Sequence, residues 1–284
     1  MTLFLPATPE QTFPAYKMST FPSGESYIKL DPDQIYTESI ELFFRWRGDQ
    51  SMMQLFHTTD ALRRLGVINI DLTIPYFPGA RADRIEDEQR GESLGVKVYT
   101  NLINSQGYRK VTIFDPHSPV APALLDNVKV ISNSRLVQDV VAEMGKENLL
   151  LVSPDIGASK KTRNISKQIG IPVIQAEKKR DLTTGHLIPG SCEIALPSNT
   201  ALDNKHVLIV DDICSRGGTF KPIAAKLAES GVRSISLVVS HYEGCADVEG
   251  LRAAGISRVY TTDSLWYDEN PTFVTTYPII KYVS

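Results

Sequence analysis

Residues 207–219 read VLIVDDICSRGGT, and this stretch decides the fold class. Its run of β-branched and aliphatic residues predicts a buried strand, which ends in paired acids at 211–212. Two glycines at 217–218 then allow a tight turn, and a helix is predicted to begin near Thr219. A buried strand that leads through a glycine turn into a helix is typical of a parallel sheet covered by helices.

The same alternation of short apolar runs and helix-length segments extends over the whole chain. It predicts an α/β protein with mainly parallel sheets that carry helices on both faces. The chain divides near 130–135, which predicts an N-terminal lobe at 1–133 and a C-terminal lobe at 134–284. The predicted strands are 26–30, 39–46, 69–77, 110–116, 148–155, 172–177, 206–212, 234–241 and 258–263. The predicted helices are 50–66, 93–107, 134–146, 160–169, 219–231 and 245–255.

The composition excludes several classes of protein. The 284 residues are 42% hydrophobic and 22% charged, which is ordinary for a globular protein and wrong for a disordered one. The net charge of −3 provides no basic field, so neither nucleic acid nor a membrane is an expected partner. No apolar run reaches the ~18 residues of a membrane span. The three cysteines are an odd number without metal-type pairing, which favours a reducing cytoplasm.

The stretch at 211–219 has the composition of a phosphate site. Ligands of open α/β sheets bind at the carboxyl ends of strands, and a helix N-terminus attracts phosphate. The hydroxyls of Ser215 and Thr219 can add hydrogen bonds to such a ligand. The carboxylates of Asp211 and Asp212 suit a vicinal diol or Mg²⁺. The structural alternative is an acid pair that only caps the turn and the helix.

This stretch resembles the phosphoribosyl-diphosphate loop of type I phosphoribosyltransferases. Further motifs narrow the resemblance to the ribose-phosphate diphosphokinases, or phosphoribosyl pyrophosphate synthetases, and occur in that family's order. They are FPSGES (21–26), IPYFPGARADR (74–84), FDPHS (114–118), LVSPDIGASKK (151–161) and AEKKRD (176–181). The resemblance implies two similar type I phosphoribosyltransferase-like lobes, with a mobile catalytic loop at 81–95 on the ATP side. The implied ribose-phosphate-binding residues are Asp211, Asp212, Ser215, Arg216, Gly217, Gly218 and Thr219.

The family's reaction moves an intact diphosphoryl group from ATP to the anomeric hydroxyl of ribose 5-phosphate, and AMP leaves. Such a transfer depends on charge neutralisation and in-line positioning more than on covalent catalysis. The resemblance implies catalytic roles for Lys178, Arg180 and Arg81, and ligation of Mg²⁺ by His117 and Asp155. The implied ATP-binding residues are Phe21, Ser23, Glu25, Arg81, Asp83 and His117. The adenine turn comes from a neighbouring subunit in this family, so the resemblance also implies a homo-oligomer. Without the resemblance, His117 is more often structural and KKR is a solvated basic turn.

Departures from the family pattern open a second interpretation of the acceptor. Ser215 and Arg216 stand where the family usually has Asp-Thr. Ala82 stands in place of a glutamine that touches ATP, and Ser23 in place of Asn or Asp. The loop at 85–93 is acidic where the family is basic. Because Arg216 adds a guanidinium beside the 5-phosphate site, one hypothesis is a 5-substituted ribose phosphate such as ADP-ribose as the acceptor.

Two other classes stay open as alternatives. One is an inactive regulatory member of the family, which the persistence of the acidic and basic site residues disfavours. The other is a phosphoribosyltransferase that consumes the diphosphate, which the two-lobed arrangement and the motifs at 21–26 and 78–84 disfavour. The expected product would feed nucleotide, histidine or nicotinamide-cofactor synthesis.

Overall fold

A computed structural model of the protein describes residues 1–6, 16–85, 91–177, 193–195, 202–244, 247–265 and 272–284. The chain forms two compact units, the first built mainly from Met1–Ser132 and the second mainly from Asn133–Asp263. No helix among the described residues has both the length and the apolar character needed to cross a membrane.

The first unit is built around a five-stranded sheet. Its elements are β1 (Thr2–Leu5), β2 (Tyr16–Thr20), β3 (Ser26–Leu30), β4 (Ser39–Phe44), α1 (Asp49–Arg64), β5 (Asn69–Ile74), α2 (Gly95–Asn104), β6 (Lys110–Phe114), α3 (Val120–Leu124) and β7 (Val128–Ile131). The strands of the sheet are all parallel, in the order β1-β4-β5-β6-β7. The remaining two, β2 and β3, form an antiparallel hairpin that packs on α1.

The second unit is built around a seven-stranded sheet. Its elements are α4 (Ser134–Met144), β8 (Leu149–Ser153), α5 (Ile156–Ile169), β9 (Val173–Glu177), β10 (Glu193–Ala195), β11 (His206–Cys214), α6 (Phe220–Glu229), β12 (Ser234–Tyr242), α7 (Val248–Ala253), β13 (Ile256–Thr262), β14 (Val274–Tyr277) and α8 (Ile280–Val283). The strand order is β10-β9-β8-β11-β12-β13-β14, and among the described strands of this sheet only the β10–β9 pair is antiparallel.

The second sheet has a topological switch point between β8 and β11. There the direction in which successive strands are added to the sheet reverses. From β8 the chain first adds β9 on one side, and later adds β11 on the other side before continuing to β12 and β13. Such a reversal opens a crevice at the carboxyl ends of the two neighbouring strands, where ligands of α/β sheets bind. All five residues of β8 are buried, as expected for a parallel strand with helices on both faces.

The predicted α/β class, with mainly parallel sheets flanked by helices, is confirmed. The sequence pattern does not predict β1, β2, β7, β10, β14, α3 or α8, which are only three to five residues long. Four of these strands lie at the edges of the two sheets. Edge strands are short and partly exposed, so they carry no long apolar run for periodicity to detect.

Several predicted boundaries differ from the structure, and two of them change the description of the candidate site. Helix α5 begins at Ile156 instead of at residue 160, because Asp155 caps it from the position directly before. Strand β11 continues through the acid pair to Cys214 instead of ending at residue 212. The continuation is stabilised by the ladder with β12, in which Ile213 pairs with His241.

Candidate active site

The acid pair lies inside strand β11. The ladder pairs Asp211 with Val239 and Ile213 with His241, so the acid pair lies within its length. Asp212 is buried, whereas Asp211 is half-buried. The chain therefore holds both carboxyl groups on a rigid strand next to the switch point, and not on a turn beyond the strand end.

The carboxyl group of Asp211 is hard to ionise. Burial, the charge of Asp212 and a hydrogen bond between the two carboxyl groups raise the pKa of Asp211 well above its usual range, although Lys161 opposes this shift. The backbone N–H of Asp212 donates to Oδ1 of Asp211 at 2.9 Å. Two carboxyl groups in such proximity resist simultaneous ionisation, so the pair retains a proton that an isolated carboxyl group would lose.

The predicted ribose-phosphate loop follows the acid pair and leads into α6. Gly217 has a φ of +75°, and its carbonyl oxygen accepts from the N–H groups of Phe220 and Lys221, each at 3.1 Å. A Cβ added at Gly218 would meet no atom within 4 Å. The Thr219 side chain does not cap the helix. A glycine backbone and a hydroxyl group therefore line the start of α6, as a phosphate site at a helix N-terminus requires.

Asp155 lies at the carboxyl end of β8, the strand next to β11. The two strands are in register, with Val152 opposite Ile209. Oδ1 of Asp155 accepts from the N–H of Ala158 at 2.9 Å, so the carboxylate caps α5. The side chain is partly exposed. The structure therefore brings Asp155 and the acid pair to neighbouring strands at the switch point, although the sequence separates them widely.

In the first unit, Asp83 and His117 lie close together. Asp83 follows β5 and His117 follows β6, the next strand in the sheet. Burial of Asp83 opposes its ionisation, but hydrogen bonds from Ser118 and Arg84 and the nearby charge of His117 outweigh it and lower the pKa of Asp83. His117 and Arg81 are exposed. The exposed Arg81 and His117, with the hydrogen-bonded carboxylate of Asp83 beside them, suit a polyphosphate ligand.

The turn that carries Arg81 is fixed by a close contact at Gly79. Gly79 has a φ of +72°, and a Cβ there would lie 2.5 Å from Cδ2 of Tyr99. The Tyr99 hydroxyl donates to Oδ1 of Asp49 at 2.5 Å, and its ring meets Trp46 edge-on at 5.4 Å. Burial and the bond to Asp49 raise the pKa of Tyr99 to about 12, so the phenol keeps its proton for this bond.

Replacing Gly79 with alanine is expected to lower the free energy of unfolding by about 3 kcal/mol, because a positive φ and a steric clash add together. The matched control is Gly66→Ala, where φ is +87° but the added Cβ would meet no atom within 4 Å. That variant should lose only the backbone contribution of about 1 kcal/mol. Denaturant unfolding compares the two variants. Equal losses would show that the contact with Tyr99 does not constrain the turn.

The predicted adenine turn is the tip of the β2–β3 hairpin. Phe21 is 53% exposed and meets Tyr27 edge-on at a ring distance of 5.8 Å. Ser23 donates a hydrogen bond to the Glu25 carboxylate. Gly24 turns the chain with a φ of +96°. The hairpin tip thus presents an exposed aromatic ring and an exposed, hydrogen-bonded carboxylate.

Some predicted site residues lie outside the described part of the chain. Lys178 and Arg180 follow β9 directly in the sequence, and the described part of the predicted catalytic loop is 81–85 and 91–95. The roles of Lys178 and Arg180 stay predictions.

The sequence reasoning missed three polar residues that support the site. Nδ2 of Asn133, which is fully buried, donates to the carbonyl oxygen of Asp211 at 3.2 Å. Ser118 bonds Asp83, and Lys161 places a positive charge near Asp211. Ser118 and Lys161 lie within the quoted motifs, so their positions were a usable signal, whereas nothing around Asn133 marks it.

Comparisons with known proteins find similar chains. A family model described as a phosphoribosyl transferase domain matches residues 123–254. A ribose-phosphate pyrophosphokinase from Saccharolobus solfataricus is 30% identical over 251 residues, which cover 86% of this chain and 82% of the relative. A ribose-phosphate pyrophosphokinase from Hyphomonas neptunium is 28% identical, with coverages of 89% and 80%. The crystal structure of a phosphoribosylpyrophosphate synthetase from Mycobacterium smegmatis has a TM-score of 0.78 at 20% identity, over 94% of this chain and 87% of that one, so the fold is shared.

Proposed function

Because the chain belongs to the ribose-phosphate pyrophosphokinase family, we propose that it transfers the intact diphosphoryl group of ATP to the C1 hydroxyl of ribose 5-phosphate. The products are phosphoribosyl diphosphate and AMP. The chain is thus an enzyme, a transferase of the ribose-phosphate diphosphokinase type. One observation carries the proposal: the acid pair lies in β11, and the glycine loop and Asp155 follow the ends of the neighbouring strands β11 and β8 at the switch point of the second sheet.

The second unit is proposed to bind the acceptor. The loop at 215–219 would hold the 5-phosphate with backbone N–H groups and hydroxyls. Asp211 and Asp212 would accept hydrogen bonds from the two ring hydroxyls of the ribose. Both contacts are rigid, since the acid pair sits within β11 and the loop is tied to the first turn of α6. The C1 hydroxyl is then held in place for attack on the β-phosphorus.

The first unit is proposed to bind ATP. Arg81 and His117 would approach the phosphates, and Asp83 holds the orientation of its neighbours. As the C1 oxygen bonds to the β-phosphorus, the bond from that phosphorus to the α–β bridging oxygen breaks and AMP leaves. Arg81, together with Lys178 and Arg180, would stabilise the charge that develops on the phosphate oxygens.

Mg²⁺ is proposed as the metal that accompanies ATP. The described residues contain no group of three or more His, Cys, Asp and Glu side chains that could hold an ion. His117 is exposed and Asp155 is partly exposed. Each could therefore serve as a single protein ligand of an ion whose other coordination positions are filled by phosphate oxygens and water. When bound, the ion neutralises charge on the diphosphoryl group.

Asp155 variants separate metal binding from helix capping. Asp155→Asn keeps a capping oxygen but loses the charge, so it should raise the Mg²⁺ concentration for half-maximal activity by about tenfold or more. Asp155→Ala also removes the cap and should lower the free energy of unfolding by about 1 kcal/mol. Magnesium titrations and denaturant unfolding measure the two effects. An unchanged magnesium requirement in both variants would leave Asp155 only the capping role.

A 5-substituted ribose phosphate such as ADP-ribose is the second candidate acceptor. Arg216 favours it, because this side chain is exposed in the loop and no hydrogen bond or ion pair joins it to the rest of the described chain. A guanidinium in this position could bind a second phosphate. The variant Arg216→Thr should then change the ratio of the rates with the two acceptors, and an unchanged ratio would rule the role out.

We also propose a homo-oligomer in which the hairpin tip at 21–25 serves the adenine of a neighbouring subunit. The exposure of the Phe21 ring at the tip supports this, since an aromatic surface suits stacking on a base. Mixing Phe21→Ala subunits with inactive Arg81→Ala subunits tests it. Recovery of activity in the mixture is expected only if the two halves of a site come from different chains.

The direct test is AMP release from ATP and Mg²⁺ with the purified protein. Parallel reactions contain ribose 5-phosphate, ADP-ribose or no acceptor. AMP formed with ribose 5-phosphate is the expected result, and AMP formed mainly with ADP-ribose would establish the second candidate. No AMP with either acceptor would contradict both and favour a regulatory family member.

A further inference from the structure

Helix α7 lies directly beneath the loop at 215–219. A Cβ added at Gly217 would lie 2.7 Å from Cδ2 and 3.2 Å from Cγ of Leu251, so the loop backbone and this side chain are in tight contact. Leu251 is fully buried, with 0% exposure. Gly217 also has a positive φ. This φ and the contact with Leu251 together set the orientation of the peptide units on either side of Gly217.

The N-terminal end of α7 is fastened to the start of α6. Asp247 caps α7, since its Oδ1 accepts from the N–H of Gly250 at 2.9 Å. Its Oδ2 accepts from Nζ of Lys221 at 2.7 Å. The N–H of Lys221 in turn donates to the carbonyl oxygen of Gly217 at 3.1 Å. Lys221 therefore joins the loop, through its backbone, to α7, through its side chain.

The C-terminal end of α7 is fastened to the edge of the sheet. The guanidinium of Arg252 lies over the Phe273 ring at 5.0 Å, and its Nη2 donates to Oγ1 of Thr272 at 3.2 Å. Phe273 itself is buried and precedes β14. With both ends anchored, α7 cannot shift away from the loop without breaking a polar contact.

We propose that Leu251 and the Lys221–Asp247 pair are positioning residues that set the backbone of the loop for the 5-phosphate of the acceptor. The argument rests on the proposed function, and it adds residues that touch neither ATP nor the ribose. A displacement of the loop N–H groups weakens phosphate binding before it affects the chemistry at C1, since the phosphate is remote from the reacting atoms. Variants of these residues should therefore raise KM for ribose 5-phosphate with little change in kcat or in KM for ATP.

Kinetics of three variants test the proposal. Leu251→Ala is expected to raise KM for ribose 5-phosphate by about tenfold. Lys221→Met should raise it by a smaller factor, and Leu251→Met should restore it to within about twofold because the buried volume is nearly kept. The KM for ATP should stay within about twofold in all three.

Two controls separate positioning from general stability. Leu227→Ala removes an equally buried leucine from α6, and Lys226→Met breaks the exposed 2.8 Å ion pair with Glu229 on the same helix. Both should leave KM for ribose 5-phosphate unchanged. If Leu251→Ala and Leu227→Ala destabilise the protein equally and neither changes this KM, the proposal is wrong.

Hydrogen exchange of the loop amides gives a readout that does not depend on the reaction. The amides at 215–219 should exchange faster in Leu251→Ala than in Leu227→Ala, while those of β11 behave alike in both. If the wild-type protein forms no AMP with ribose 5-phosphate, the proposed function fails, and this exchange comparison still decides whether α7 positions the loop. Equal exchange in the two variants would overturn the positioning role.

Discussion

Replacing Asp211 with asparagine is expected to stabilise the folded protein at neutral pH and, at the same time, to reduce diphosphoryl transfer strongly. Burial and the charge of Asp212 raise the pKa of Asp211 in the folded state. The unfolded chain has the ordinary value of about 3.9, so it releases this proton at lower pH than the folded chain does. The free energy of unfolding of the wild-type protein should therefore fall as the pH rises from the pKa of Asp211 in the unfolded chain through its pKa in the folded chain.

The asparagine variant should lack this pH dependence. An amide keeps the shape of the side chain and an oxygen that can accept the 2.9 Å hydrogen bond from the N–H of Asp212. It removes a carboxyl group whose ionisation is unfavourable in the folded protein, so the free energy of unfolding near pH 7 should rise on the order of 1 kcal/mol. Denaturant unfolding from about pH 4, near the pKa of the unfolded chain, up to about pH 8 measures both effects.

Activity should move in the opposite direction. A hydrogen bond from a ribose hydroxyl to the negative charge that the acid pair carries is worth about 1.5–3 kcal/mol, so kcat/KM for the acceptor should fall about 100-fold when Asp211 is replaced. Glu229→Gln is the control, since this carboxylate is exposed on α6 and pairs only locally with Lys226 at 2.8 Å. A variant that is stabilised but fully active would show that Asp211 does not bind the acceptor. A variant that is not stabilised, and whose free energy of unfolding depends on pH as strongly as that of the wild type, would contradict the raised pKa of Asp211.

Replacing Arg81 with alanine should reduce kcat/KM for ATP by about 100- to 1000-fold, the scale of losing one charged group from a phosphoryl-transfer site. The side chain is exposed and extends from the turn that Gly79 and Tyr99 fix, so its removal should leave the fold intact. Arg81→Lys should recover only part of the loss, because an ammonium group cannot replace the planar fork of the guanidinium.

The control for Arg81 is Arg64→Ala on α1. Arg64 is exposed and forms a 2.8 Å ion pair with Asp60 one turn away. Such an exposed ion pair contributes little to the stability of the fold. Initial rates of AMP release at varied ATP concentrations compare the variants. Rates for Arg81→Ala within about twofold of wild type would remove Arg81 from the ATP site.

The local sequence of β11 and the loop predicts more of the candidate site than any other stretch. Its apolar run, acid pair and two glycines identify a strand, a turn and a helix start, because each of these signals is read over a few residues. The same local reading places the end of the strand before Ile213, whereas β12 extends the ladder to Cys214. The protonation of the acid pair is not visible in the sequence either, since burial and the proximity of the two carboxyl groups produce it.

The α/β class, the order of the motifs and the chemistry of their side chains are determined by the sequence alone, because periodicity and turn chemistry are local properties. Only the tertiary structure makes β8 and β11 neighbours, so that Asp155 follows the strand beside the one that carries the acid pair. Only the tertiary structure packs Leu251 beneath Gly217 and Tyr99 against Gly79. These contacts join residues from separate elements, and close packing between distant segments leaves no periodic pattern in either of them.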